Sequence, residues 1–394
     1  MSKWEKVKLG KYALIAAGQS APQGESCYSQ EGRPFIKAGN LYGLTNGTKE
    51  DDILKVNEDI AKKYKLKMFP KDTIVFAKSG MSCLKGYIYL IQDDCYVVNH
   101  LACVLPNIKY LYPSYIKYFF IYSPVNKLIK DEAYPSIRLT DVGEIKIPLP
   151  PLDIQKKIAA ALDTANALIE KRKEQIEKLD LLIKSQFIEM FGDPVTNPKG
   201  WEIKRLGALT NKITDGVHQK PIYTTYGVPF ISVANINKGV LNFDDCKFVS
   251  EEDYLKMTKS VKPEQGDILY TKVGATYGIP AFIDTDKRFC LYVSVCLIKP
   301  ISELINARFL AISMSMPYIK RQADERIRGI GVPDLHLNQI SEFNICVPKR
   351  VEQEEFVQFV EQVETQKALL KKSLADMEQN YQSLLQKCFK GEIF

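Results

Sequence analysis

Two stretches of this 394-residue chain step through ten consecutive, mostly apolar positions spaced alternately by four and three residues. The first runs Ile158, Leu162, Ala165, Ile169, Arg172, Ile176, Leu179, Ile183, Gln186, Met190, and the second runs Phe356, Val360, Val363, Lys367, Leu370, Leu374, Met377, Tyr381, Leu384, Cys388. A mean period of 3.5 residues keeps one stripe of a helix facing one partner, so the pattern predicts two long helices, over 152–191 and 351–390, packed along a shared seam. Both have readable ends. Pro148-Leu149-Pro150-Pro151 forces an extended lead-in to Asp153, a candidate N-cap, and Gly192 with Pro194 stops the first helix; Val347-Pro348 and Gly391 play the same parts in the second.

The rest of the chain repeats as well. Trp4-Glu5-Lys6-Val7-Lys8-Leu9-Gly10 returns as Trp201-Glu202-Ile203-Lys204-Arg205-Leu206-Gly207. Pro34-Phe35-Ile36 matches Pro229-Phe230-Ile231, Phe76-Ala77-Lys78-Ser79-Gly80 matches Tyr270-Thr271-Lys272-Val273-Gly274, and Ile137-Arg138-Leu139-Thr140 matches Leu335-His336-Leu337-Asn338. A period near 200 residues is too long for a solenoid unit and reads as a duplicated domain plus helix. Between the helices, short β-rich runs such as Thr73–Phe76 and Asp267–Tyr270 alternate with Gly, Asn and Pro, and helical stretches are confined to 113–130 and 303–324. The expected fold is therefore α+β: two similar globular domains, 1–151 and 198–349, separated by two long antiparallel coiled-coil helical segments, 152–197 and 350–394, in a pseudo-two-fold internal repeat. A rod of about 57 Å follows from 1.5 Å per residue, equivalent to roughly 17 base pairs of duplex. Such a chain is expected to be a dumbbell.

The net charge of +7 is unevenly placed. Residues 153–190 and 352–390 sum to 0 and −2, which leaves +9 on the rest of the chain, where a positive excess suits a polyanionic partner. Nine cysteines without a C-x-x-C pair read as scattered buried thiols of a reducing compartment rather than a disulfide framework or a zinc site. No run nears the roughly 18 apolar residues of a membrane span, and the N-terminus has no apolar signal core, so a cytoplasmic protein with no membrane association is expected.

Catalytic signatures are missing. There is no G-x-x-x-x-G-K-[ST], no G-x-G-x-x-G after a strand, no G-x-S-x-G and no H-E-x-x-H. Asn197-Pro198-Lys199-Gly200 shares only its first two residues with an adenine methyltransferase N-P-P-Y site and reads better as a capped turn. Asp131 with Glu144-Ile145-Lys146, or Asp193 with Glu202-Ile203-Lys204, has nuclease-like spacing, but such spacings arise easily when 26% of residues are charged. His100, His218 and His336 have no second ligand or base nearby in sequence. No metal and no cofactor are expected.

The segment Gln186-Phe187-Ile188-Glu189-Met190-Phe191-Gly192-Asp193-Pro194-Val195-Thr196-Asn197-Pro198-Lys199-Gly200-Trp201 resembles the central conserved region of type I restriction-modification specificity subunits. Ile147-Pro148-Leu149-Pro150-Pro151 before Gln155, and Leu385-Gln386-Lys387-Cys388-Phe389-Lys390-Gly391, are similar to the same family's helix boundaries; Val347-Pro348-Lys349 departs from its P-L-P-P-type run. The resemblance implies a non-catalytic subunit. Each globular region would be a target recognition domain reading one half of a bipartite double-stranded DNA sequence, and the helices would set the spacing. They would also dock two modification (methyltransferase) subunits, through which the restriction/motor subunits join the complex.

Loop residues that suit phosphate and base-edge contacts are Lys78, Ser79, Lys272, Thr276 and Tyr277, then Lys37, Asn40, Arg138 and Asn235. His218, Lys220, Arg326 and Arg328 extend the set in the second domain only. The second function class open to such a chain is a dumbbell-shaped adaptor joining two proteins without reading DNA. Its signature would be the absence of salt-dependent duplex binding, because phosphate contacts release counterions.

Overall fold

A computed structural model of the protein describes residues 3–237, 239–327 and 331–394. Two compact units emerge, Met1–Glu174 with Lys372–Phe394, and Gln175–Lys371. Each unit holds one globular region and a portion of both long helices, which run Leu152–Phe191 and Arg350–Lys390.

The first helix takes in Asp153 within its first turn, so Asp153 is not the cap. The start is fixed instead by Gln155, which is fully buried: its Nε2 donates to Pro150 O and Tyr110 O, and its Oε1 accepts from Tyr112 N–H. Gln353 repeats the device in the second unit, donating to Pro348 O and accepting from Asn306 N–H. A glutamine satisfies donors and acceptors together, which a single carboxylate at a cap does not. Gly192 and Gly391, at φ +77° and +76°, end the helices in the left-handed conformation that glycine adopts without strain.

Within each unit the helix segments are antiparallel. In the first, Ile158 and Leu162 share a core with Leu385, Cys388 and Phe389, and farther along Lys173 pairs with Glu378 at 3.8 Å. In the second, Phe187 and Phe191 pack edge-on against Phe356, and Lys367 pairs with Asp180. Of the predicted seam, Ile158, Leu162, Ile169, Phe356 and Val360 are buried. Ile176, Leu179, Ile183, Leu370, Leu374, Met377 and Leu384 are half-buried, as expected where only one partner helix covers the stripe.

The globular regions share the strand order of their main antiparallel sheet. The first unit has an antiparallel sheet in the order Ala13–Ala17, Leu101–Pro106, Ile74–Ala77, Ile88–Leu90. The second repeats it as Thr210–Asp215, Val295–Pro300, Ile268–Thr271, Pro280–Phe282. Another sheet pairs Arg33–Ile36 in parallel with Cys95–Val97, matched by Val228–Ile231 with Cys290–Leu291. A two-stranded ribbon, Lys6–Lys8 with Lys146–Pro148 or Glu202–Arg205 with Asn344–Val347, closes each region beside its helix. The continuous apolar runs make sense here: all four residues of Ile74–Ala77 and of Ile268–Thr271 are buried. Gly18 and Gly216 mark one more repeated feature, because a Cβ on either would lie 1.9 or 2.0 Å from the carbonyl oxygen of Val97 or Leu291. Only glycine permits that backbone approach.

The duplicated tryptophans pack. Trp201 donates its indole N–H to Phe191 O, and Asn197 clamps the Trp201 backbone at N–H and C=O. The Asn197 carboxamide is therefore spent on a turn. Trp4 is partly buried against the first core.

Candidate nucleic-acid interface

In the first unit three loops meet where the strand Ile74–Ala77 ends. Lys78 N–H donates to His100 O at 2.9 Å, Ile137 N–H donates to Lys78 O at 2.8 Å, and Ser79 bridges to Ser136. Ser79 Oγ lies 2.8 Å from His100 Nδ1, so His100 joins the cluster that Lys78 and Ser79 begin. Arg138, on the same stitched segment, is mostly exposed and leans on Asp141 at 3.3 Å, with Lys130 at 3.9 Å from that carboxylate. The adjoining sheet arrives at the same place, because Val98 N–H donates to Ile36 O. There Lys37 sets its amine 3.9 Å from the Tyr28 ring centre, a cation–π contact. Asn40 closes the turn at this point, its side-chain oxygen accepting from Lys37 N–H at 2.8 Å.

The second unit builds the same junction from different side chains. Lys272 N–H donates to Ser294 O, Leu335 N–H donates to Lys272 O, and Val273 bridges to Asp334. Asn235 again closes its own turn, accepting from Ser232 N–H at 3.0 Å, and is buried. Lys272 corrects a simple surface reading: its side chain is 7% exposed and lies 3.5 Å from Asp215 and 3.3 Å from Asp334. Asp215 also meets His218 Nε2 at 3.4 Å, while the His218 ring and Lys220 remain exposed.

Beyond this junction, Thr276 is exposed at the tip of the 272–278 loop and its carbonyl accepts from Thr271 Oγ1. Tyr277 donates its hydroxyl to Asp324, which also takes Lys320. The Lys320 and Tyr277 hydrogen bonds hold the Asp324 carboxyl below the usual carboxylate range. Arg326 is occupied too, donating to Gln322 O and lying over the Phe343 ring. Arg328 lies outside the described residues.

The candidates thus separate. Lys37, Lys78, Ser79 and Arg138 gather at one end of the first region, with His100 added. His218 and Lys220 flank the corresponding junction of the second. Asn40, Asn235, Lys272 and Arg326 hold the scaffold. Asp215 and Asp334, the two carboxylates that hold Lys272, stand where the first copy has Ala17 and Ser136.

A family model described as the type I restriction modification DNA specificity domain matches residues 1–178 and again 198–379. The chain belongs to that family. Curated relatives agree. The type I restriction enzyme MjaIX specificity subunit of Methanocaldococcus jannaschii is 25% identical, with 74% of this chain and 71% of the relative covered. The EcoBI specificity subunit of Escherichia coli is 23% identical, with 99% and 86% covered. Among solved structures, the type I restriction-modification S subunit from M. genitalium superposes with a TM-score of 0.56 at 17% identity, over 98% of this chain and 96% of that one. A chain from a structure of type I complex assembly and conformational transition gives 0.62 at 18% identity, over 99% and 98%. These last two establish a shared fold.

Nuclease geometry does not assemble from the spacings noted in the sequence. Glu144 pairs with Lys8, Asp131 closes a local turn onto Ala133 N–H, and Glu202 pairs with Lys204. Among the described residues no group of His, Cys, Asp and Glu converges to hold a metal ion, and no helix is long and apolar enough to cross a membrane.

Proposed function

We propose that this chain is the sequence-reading, non-catalytic subunit of a type I restriction-modification assembly, in which each globular region reads one half of a bipartite duplex site. The supporting observation is the repeated strand-end junction. The same three backbone segments meet in both copies, with the same hydrogen bonds, but carry Lys78, Ser79, His100 and Arg138 in one and Lys272, Val273, Ser294 and His336 in the other. A constant frame with variable loop ends is what two readers of different half-sites need, because phosphate contacts position a domain while base-edge contacts specify it.

The long helices would set the separation of the half-sites and dock two modification subunits, which would bring the methyl donor and the catalytic site. Leu168, Leu181, Leu182 and Leu369 are large apolar side chains left exposed on these helices off the seam, and exposed apolar side chains of this kind suit a protein partner. The restriction subunits would join through that complex. In the test, the purified chain is assayed for adenine methylation alone and with a modification subunit. Methylation of a bipartite site only in the combined sample supports the proposal, and methyl transfer by the isolated chain rules it out.

A further inference from the structure

We propose that the two copies of the strand-end lysine have divided their labour: Lys78 contacts a DNA phosphate, whereas Lys272 touches no DNA and is a positioning residue that ties three loops of the second unit together. The inference rests on the DNA-reading function above.

The two lysines occupy one position of the repeated frame. Each donates its backbone N–H to the turn after the parallel strand, to His100 O or Ser294 O, and each accepts from the returning segment, at Ile137 N–H or Leu335 N–H. The neighbours are equally matched. Ala17 and Asp215 both precede the glycine that presses on the strand carbonyl of Val97 or Leu291. Ser136 and Asp334 are both bridged to the residue after the lysine.

What differs is charge. In the second unit both neighbours are carboxylates and hold the ammonium at 3.5 and 3.3 Å, nearly out of water. An ammonium already paired twice has little left for a phosphate, and two carboxylates facing the duplex would repel it. In the first unit the same two neighbours are a methyl group and a hydroxyl, and no carboxylate pairs with Lys78 among the described residues. Lys78 is half-buried beside Ser79, His100 and Arg138, a setting of donors with an uncompensated positive charge.

The ion pairs also explain why Lys272 is retained. Asp215 belongs to the strand leading into the 216–220 loop, Asp334 to the segment before His336, and Lys272 to the start of the 272–278 loop. One ammonium therefore fixes the bases of three loops at once.

The test measures binding of the full chain to a mixed-sequence duplex as a function of salt, alone and joined with a modification subunit. Each phosphate contact contributes about 0.9 to the slope of log affinity against log salt. Lys78→Met should flatten the slope by about one, so that its affinity deficit relative to the unmodified chain shrinks roughly threefold from 50 to 200 mM salt. Lys272→Met should leave the slope unflattened. Because that variant strands two carboxylates and can fail to fold, the triple variant D215A/K272M/D334S removes the whole cluster and should also keep the original slope.

The gain-of-function variant D215A/D334S places the first copy's residues around Lys272. It should steepen the slope, because an ammonium freed from both carboxylates can reach a phosphate as Lys78 does; an unchanged slope would mean that the two carboxylates are not what keeps Lys272 off the DNA, and would overturn the division of labour. Equal flattening by Lys78→Met and the triple variant overturns the division of labour, as does an unchanged slope for Lys78→Met. If the unmodified chain shows no salt-dependent duplex binding in either sample, the DNA-reading function fails and this inference fails with it.

Discussion

Replacing Gln155 by Ala should destabilise the first unit far more than its place on a charged helix suggests. The side chain is fully buried and makes three hydrogen bonds to backbone groups, at 2.8 Å to Tyr112 N–H, 2.8 Å to Tyr110 O and 2.9 Å to Pro150 O. Each such bond contributes about 1 kcal/mol net, and a buried partner left unsatisfied costs about 1–3 kcal/mol, so the loss should be on the order of 3 kcal/mol. Alanine's better helix propensity returns only a few tenths of a kcal/mol, about 0.4. With a urea dependence of about 1–3 kcal/mol per molar, the midpoint should fall by roughly 1 M or more.

A chain of two compact units need not unfold in a single step, so the assay is urea unfolding read by hydrogen exchange on amides of each unit separately. The loss should be confined to the first unit. Gln353→Ala, with two equivalent bonds, should cost about 2 kcal/mol in the second. Lys156→Ala, an exposed position on the same helix, serves as control. If Gln155→Ala and Lys156→Ala unfold alike, the buried glutamines do not join the helices to the globular regions, and the reasoning about those junctions is wrong.

Gly18→Ala and Gly216→Ala should each reduce the thermal midpoint sharply and weaken protection of the neighbouring strands, because the new methyl would overlap a carbonyl oxygen at 1.9 or 2.0 Å; an unchanged midpoint would refute the repeated close approach. Thiol alkylation under native conditions should be slow at neutral pH. Eight of the nine free cysteines are buried and out of a reagent's reach, and burial pushes the Cys388 thiol up to about 11 and the Cys290 thiol up to about 12, so their reactive thiolates are scarce below pH 9. Half-buried Cys246, also raised by burial, should react first, and rapid labelling of all nine at pH 7 would contradict the packing.

The two helices were legible because a ten-step pattern at period 3.5 has few alternatives, and their boundaries came within one residue or so. The strands Ile74–Ala77 and Ile268–Thr271 were visible as apolar runs, each displaced by one residue from the sequence reading. Their sheet order was not legible, since Ala13–Ala17 pairs with Leu101–Pro106 across a stretch of chain that holds several other strands and helices, a pairing that no local pattern encodes. The same holds for the candidate interface. Lys78 and Lys272 look alike in the sequence, and the carboxylate 62 residues away that joins Lys272 comes into range only through folding. Asn40 and Asn235 have both the composition of DNA contacts and the spacing of turn-closing residues, and in the fold the side-chain oxygen of each accepts from the backbone N–H three positions earlier.

The central claim is that each globular region reads its own half of the target. Its most direct measurement is a map of methylated adenines in a host genome carrying this chain, repeated after residues 1–150 are exchanged for those of another family member. One half of a bipartite motif should change while the other half stays. A change in both halves, or in neither, would contradict the claim.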